Sequence, residues 1–209
     1  MRGIAVANTP GANAPAVAEM ALTLMLAAQR RLSLLDRTTR SGAWAIDPVI
    51  QRGMGEIAGR TVGLVGYGSI PSRLASVLAA IRARVLYTAR APKADARAEW
   101  RTLPELLAEA DIVSLHVPLT PETAGMIGRE ALARIKPGAV LVNTARGTLV
   151  DEAALLAALQ SGHLAAAGLD VVAVEPVKPD NALLALDNVV VAPHAAWMTA
   201  ETMERCFAM

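Results

Sequence analysis

Short apolar runs and longer amphipathic stretches alternate from residue 61 to residue 192. Thr61–Val65 is apolar, rich in β-branched residues and stopped by Gly66, a pattern that predicts a buried strand. Residues 69–81 follow with apolar positions at helical spacing. Arg84–Thr88 predicts a second strand, Leu103–Glu109 a short helix, and residues 111–117 a third strand ended by Pro118. These elements read as the first half of a wound sheet. Residues 128–135 predict a helix closed by Lys136-Pro137-Gly138, and residues 139–144 a fourth strand. Asp151 caps a predicted helix that runs through Leu159 and ends near Gly162. Residues 165–172 and 188–192 supply the fifth and sixth strands. Six strands separated by helices predict an α/β fold, a doubly wound parallel sheet with right-handed crossovers.

Before residue 61 the pattern changes. Residues 4–7 form a short apolar fragment that ends in Asn8-Thr9-Pro10-Gly11, and residues 16–31 predict a long amphipathic helix. Residues 44–56 have no clear period and read as loop. At the other end a helical pattern begins near Thr199 and reaches Met209 without a cap signal, so both ends read as cut.

Composition narrows the class. The chain has 209 residues, 54% of them hydrophobic, enough for one core and a small appendage. A net charge of +1 gives no electrostatic footprint for nucleic acid. The longest apolar stretch, residues 14–28, carries Glu19 and Thr23 and is too short to span a bilayer. Asn8, Pro10, Gly11 and Asn13 break up any signal-peptide core. The single Cys206 excludes an intrachain disulfide and fits a reducing compartment, so a cytoplasmic location is expected. No His, Cys, Asp or Glu cluster has metal-ligand spacing, and no metal is expected.

Gly66-Tyr67-Gly68-Ser69-Ile70 joins the first predicted strand to its helix. Gly66 permits a tight turn, and Gly68 lets backbone N–H groups approach a pyrophosphate at the helix start. Gly66, Gly68, Ser69 and Ile70 are therefore candidate dinucleotide-binding positions, although many strand–helix turns need glycine for conformation alone. Pro71 stands where the fingerprint has its third glycine. It either starts the helix neutrally or alters its fit against the sheet and phosphates. The second strand ends Tyr87-Thr88-Ala89-Arg90, with alanine where NAD sites carry an acid for the ribose 2′-hydroxyl. That absence, with Arg90 free to fork onto a 2′-phosphate, predicts NADP over NAD; otherwise Arg90 is a solvated loop charge.

Three more clusters carry chemistry. Asn143-Thr144-Ala145-Arg146-Gly147 follows the fourth strand, Gly168-Leu169-Asp170 leads to Glu175-Pro176 after the fifth, and Pro193-His194 follows the sixth. The carboxyl edge of such a sheet is where ligands bind, so Arg146, Glu175 and His194 converge there. Arg146 can hold a substrate carboxylate bidentately and His194 can move a proton. Glu175 can hold the ring's tautomer and stabilise the imidazolium. Each residue alone reads equally as a loop charge or a satisfied strand end; together they read as a site. Thr144, Ala145 and Pro118 fall near the same edge as cofactor-lining candidates, and His116, at the end of the third strand, reads as structural or cofactor-lining. Asp170 either meets the nicotinamide carboxamide or caps a turn. His163, in Ser161-Gly162-His163, reads as solvent-facing.

These residues resemble the D-isomer-specific 2-hydroxyacid dehydrogenase family across essentially the whole chain. The resemblance rests on Ala110-Asp111-Ile112-Val113-Ser114-Leu115-His116-Val117-Pro118-Leu119-Thr120 and on Asn143-Thr144-Ala145-Arg146-Gly147. It implies a hydride transfer between NADP(H), or NAD, and a small 2-keto or D-2-hydroxy acid. Arg146 would bind the substrate, His194 would act as acid/base and Glu175 as its partner. The Thr88-Ala89-Arg90 strand end looks like the glyoxylate and hydroxypyruvate reductases of the family. The resemblance also implies a division into residues 1–11, the tail of a substrate domain; 12–198, the dinucleotide-binding domain; and 199–209, the start of a returning helix. Most of the substrate domain would be missing. Helices like that at residues 16–31 help form the family's dimer interface, so a homodimer is expected. The rival expectations are a truncated, catalytically idle NAD(P)-binding module and a cofactor-gated regulatory protein.

Overall fold

The computed structural model describes residues 8–44 and 53–208. The apolar fragment at residues 4–7 and residues 45–52 of the expected loop lie outside the described residues, as does Met209. Along the chain run α1 (Ala14–Gln29), α2 (Leu32–Arg40), β1 (Thr61–Val65), α3 (Ser69–Ala80), β2 (Arg84–Thr88), β3 (Glu99–Trp100), α4 (Leu103–Glu109) and β4 (Ile112–Leu115). There follow α5 (Arg129–Arg134), β5 (Ala139–Asn143), α6 (Glu152–Gln160), β6 (Leu164–Leu169), β7 (Val189–Val191) and α7 (Ala200–Phe207). Single 3₁₀ turns occupy Gly147–Leu149 and Ala182–Ala185.

All strand pairs are parallel, and the order across the sheet is β3-β2-β1-β4-β5-β6-β7. This is the doubly wound arrangement, with the order reversing between β1 and β4. Alternate strand residues point to opposite faces. Val62 and Leu64 of β1 pack with Ala21, Leu24 and Met25 of α1 and Leu74 and Leu78 of α3. Val65, with Val113 and Leu115 of β4, packs with Leu106 and Leu107 of α4, Leu132 of α5 and Leu155 and Leu159 of α6. Central strands buried on both faces explain why the sequence shows continuous apolar runs rather than alternation.

Several expectations are corrected. The sheet has seven strands among the described residues, not six. The extra one, β3, is a two-residue edge strand paired to β2 at Leu86 and Tyr87, too short to leave a periodic signal. It, and not the strand before Pro118, completes the first half of the sheet; β4 lies on the other side of β1 and opens the second half. The helix expected over residues 16–31 stops at Gln29. Arg31 takes a left-handed backbone (φ 49°) and its Nε donates to Gly53 O at 2.9 Å, which turns the chain into α2. His163 does not face solvent freely, because its Nε2 lies 3.0 Å from the Leu132 carbonyl oxygen. Pro71 is buried in the first turn of α3, and the helix runs unbroken to Ala80.

The carboxyl edge of the sheet gathers the loops after β1, β4, β5, β6 and β7. α7, capped by Thr199 accepting from Thr202 N–H at 3.1 Å, folds back so that Arg205 Nε donates to Ala12 O at 2.7 Å. This ties residues at both ends of the described chain to the same edge.

Candidate active site

The glycine turn is built as its residues require. Gly66 has φ 99°, and a Cβ there would stand 2.7 Å from the His116 carbonyl oxygen. Only glycine fits so close to the neighbouring strand end. Gly68 is the N-cap of α3, no side chain caps the helix, and a Cβ at Gly68 would meet nothing within 4 Å. The Ser69 and Ile70 N–H groups, in the first turn, therefore have no partner within the helix. Pro71 removes one further donor from this turn.

A cleft of about 360 Å³ opens at the same edge, lined in part by Ile70, His116, Pro118, Thr144 and Ala145. Arg146, Asp170 and His194 line it as well. Two buried polar atoms here, His116 Nε2 and Thr144 Oγ1, have no hydrogen-bond partner among the described residues. Burial pushes the His116 pKa down to about 4, so the ring is neutral at ordinary pH. An orphaned buried polar atom costs about 1–3 kcal/mol, so a ligand with polar groups fits this cleft better than an apolar one. Arg90 lies outside the cleft's lining, exposed after β2, and makes no ion pair among the described residues.

The expected pairing of His194 with Glu175 is present. His194 Nδ1 lies 2.7 Å from Glu175 Oε2, both groups more than a third exposed. The other Glu175 oxygen accepts from Val172 N–H at 3.2 Å. An ionised carboxylate only accepts, so in this contact Nδ1 is the donor. His194 itself has a left-handed backbone, φ 54°. Asp170, 1% exposed, holds it there: its Oδ1 and Oδ2 accept from Ala195 and Ala196 N–H at 2.9 and 3.0 Å, and its carbonyl accepts from His194 N–H at 2.7 Å. Of the two roles left open for Asp170, turn capping is the one these bonds occupy.

Arg146 is placed by Asn143, whose Nδ2 donates to Arg146 O at 2.9 Å and whose Oδ1 accepts from Ala145 N–H at 3.0 Å. The Arg146 guanidinium is exposed, with Nη1 bonded to Ala145 O at 2.6 Å. Among the described residues this is the one bond of the guanidinium, and Arg146 lines the cleft. Arg146, His194 and the orphaned Thr144 and His116 atoms thus share one concave site.

Comparison with known proteins gives the family to which this fold belongs. Residues 22–196 match the family described as D-isomer specific 2-hydroxyacid dehydrogenase, NAD binding domain. The chain belongs to that family. It is 46% identical over 210 residues to a glyoxylate reductase of Korarchaeum cryptofilum, covering 98% of this chain and 63% of that protein. It is 46% identical over 208 residues to a D-3-phosphoglycerate dehydrogenase of Mycobacterium tuberculosis, covering 98% of this chain and 39% of the other. Among solved structures, a Thermus thermophilus protein superposes with a TM-score of 0.91 at 45% identity, over 98% of this chain and 65% of that one. The chain thus spans less than two-thirds of the length of these relatives. The cleft fits the NAD(P) of the family: Gly68 leaves room at the helix start, and His116 and Thr144 offer unpaired polar atoms.

Sequence reasoning missed Trp197, which lines the cleft beside His194 and is 37% exposed. In a chain with 3% aromatic residues, a tryptophan three positions after the histidine was the available signal. It also missed the placing role of Asn143. No helix among the described residues is long and apolar enough to cross a membrane.

Proposed function

We propose that this chain is the cofactor-binding and proton-transferring part of an NADP-preferring reductase of small, unphosphorylated 2-keto acids of the glyoxylate or hydroxypyruvate type. The observation that carries the reading is the His194–Glu175 pair at 2.7 Å, on the rim of a cleft that also holds Arg146. A nicotinamide dinucleotide bound in the cleft would supply the hydride. Arg146 takes the substrate carboxylate as a fork and draws electron density from the adjacent carbonyl. In the reducing direction the doubly protonated His194 gives its Nε2 proton to the carbonyl oxygen and returns to the Nδ1–H form, while Glu175 stays bonded to Nδ1 and fixes the ring's orientation. In the oxidative direction the same nitrogen takes the proton back.

Relatives of equal identity act on glyoxylate and on 3-phosphoglycerate by their names. Arg146 is the one arginine or lysine lining the cleft among the described residues, enough for one carboxylate and without a second cation for a phosphate. This favours the smaller acid. The free Arg90, with no acid at Ala89, favours NADP. A dimer through the α1–α2 side is part of the proposal: Leu26 and Leu32 are 43% and 56% exposed there, and sedimentation would read the mass directly.

The test is calorimetric titration with NADPH and NADH. NADPH should bind more tightly, and Arg90→Ala should weaken NADPH by about tenfold while leaving NADH unchanged. Equal binding of the two by the unaltered chain would refute the NADP preference. Replacing His194 with alanine should abolish glyoxylate-dependent NADPH oxidation at unchanged cofactor affinity. Retained turnover would remove His194 from the mechanism.

A further inference from the structure

Glu152 is the first residue of α6, directly after its N-cap Asp151. An acidic side chain there ordinarily serves the helix dipole. Glu152 instead spends both oxygens outside its helix. Oε2 accepts from Ala173 N–H at 2.9 Å, and Oε1 accepts from Asn181 Nδ2 at 2.8 Å. Those partners bracket the loop that carries Glu175. The Asn181 side chain is itself fixed, its Oδ1 accepting from Leu183 N–H at 2.9 Å. On the loop's inner side the Val172–Ala173 backbone presses on Gly147, where a Cβ would fall 2.0 Å from the Val172 carbonyl carbon. The start of the loop is therefore held between the turn that carries Arg146 and the carboxylate of Glu152.

We infer that Glu152 is a positioning residue of the acid/base pair, acting through the loop of residues 173–181 to hold Glu175 against His194 Nδ1. This rests on reading His194 as the proton carrier. Between Ala173 and Asn181 the loop has no regular structure. Among the described residues the Glu175 side chain has two hydrogen bonds to fix it, one with Val172 N–H and one with His194. Both are exposed and individually weak. The half-buried Glu152 contacts supply the constraint that these lack. Removing them frees the loop ends, and the carboxylate then spends part of its time away from the ring.

The readout is the tautomer of His194, from long-range ¹H–¹⁵N correlations of the three histidines at a pH where all are neutral. A bonded Glu175 gives the Nδ1–H form in the unaltered chain, and Glu175→Gln marks the loss of the carboxylate. Glu152→Ala should convert most of the His194 population to Nε2–H while NADPH affinity stays within twofold. Glu152→Gln alone should do the same in part, because its NH₂ would face the Asn181 NH₂. The double variant Glu152→Gln/Asn181→Asp exchanges carboxylate and amide, re-forms both bonds at constant charge and should restore Nδ1–H. This rescue keeps the test decisive if the alanine variant fails to fold. A His194 that stays Nδ1–H in Glu152→Gln, or is not restored in the double variant, overturns the role of Glu152 and leaves the pair intact. An unaltered chain whose His194 is already Nε2–H and does not respond to Glu175→Gln overturns the pair itself.

Discussion

Replacing Asp170 with asparagine tests what sets the histidine in place. The carboxylate is buried and receives two backbone N–H groups, from Ala195 and Ala196, at 2.9 and 3.0 Å. Asparagine keeps one acceptor oxygen and turns an NH₂ group toward the other amide. One buried N–H loses its partner and meets a second donor. Losing one charge-assisted bond and leaving that N–H unsatisfied costs about 2–3 kcal/mol. For a chain of this size each kcal/mol moves Tm by about 2–4 °C, so the midpoint should fall by about 5–10 °C. Urea unfolding at constant m would read the same loss as a shift in midpoint. The turn that forces His194 to φ 54° would also loosen, so proton transfer should weaken more than cofactor binding. A stability change below about 0.5 kcal/mol, the scale of an ordinary surface substitution, would refute the argument. It would mean that water satisfies these amides and that Asp170 does not hold the turn.

The left-handed backbone of His194 predicts an inverted order between two truncations. His194→Gly should be more stable than His194→Ala by about 1 kcal/mol, since both lose the ring but only alanine keeps the Cβ strain; equal midpoints would argue against strain at this position. His116 predicts a pH dependence. Its folded pKa of about 4 lies below the ordinary 6.5, so between those values the unfolded chain binds a proton that the folded chain refuses. Stability is then complete above pH 6.5 and falls as pH drops to about 4, by about 3 kcal/mol in total; His116→Gln should lack the loss in that window. Glu99, held down to about 2 first by its hydrogen bond with Arg84, acts lower: its contribution is present above its ordinary 4.5 and disappears only as pH falls toward 2. Added salt should weaken the Glu99 contribution, which is exposed, and spare that of His116, and urea midpoints at two ionic strengths would separate them.

How much of this was legible depends on whether a feature is local. Thr61–Val65, Arg84–Thr88 and Leu103–Glu109 occupy the spans that their patterns mark, because burial on two faces or one writes a run or a period into the chain. β3 wrote nothing, since two residues at a sheet edge have neither. The placement of β4 beyond β1 was equally hidden: strand order is a property of the crossovers, and a sequence lists strands only in chain order. Arg31 looked like one more helical residue because its left-handed turn depends on a partner at Gly53. That Arg146, Asp170 and His194 meet at one cleft was legible because each follows a strand end, where a wound sheet puts its ligands. What fixes them was not. Glu152 reads as an ordinary acid in a first helical turn, and its partners lie 21 and 29 positions away.

Those hidden contacts explain why an exposed site can still be ordered. Past the last ladder bonds of the sheet, Asp170 N–H donates to Asn143 O at 2.9 Å, and Ala192 N–H to Leu169 O at 2.8 Å, so β5, β6 and β7 continue pairing beyond their regular ends. Asn143 then turns its buried amide to the Arg146 backbone, and Asp170 turns its carboxylate to the backbone after His194. Two buried polar side chains on adjacent strands thus each position one more exposed side chain at the cleft. Burial makes their geometry costly to abandon. By this logic Asn143→Ala should displace Arg146 rather than unfold the sheet. It removes one donor and one acceptor to turn backbone, worth about 1–2 kcal/mol together. Stability should fall by no more than about that amount while the KM for glyoxylate rises about tenfold, and an unchanged KM would show that Arg146 holds its position without Asn143.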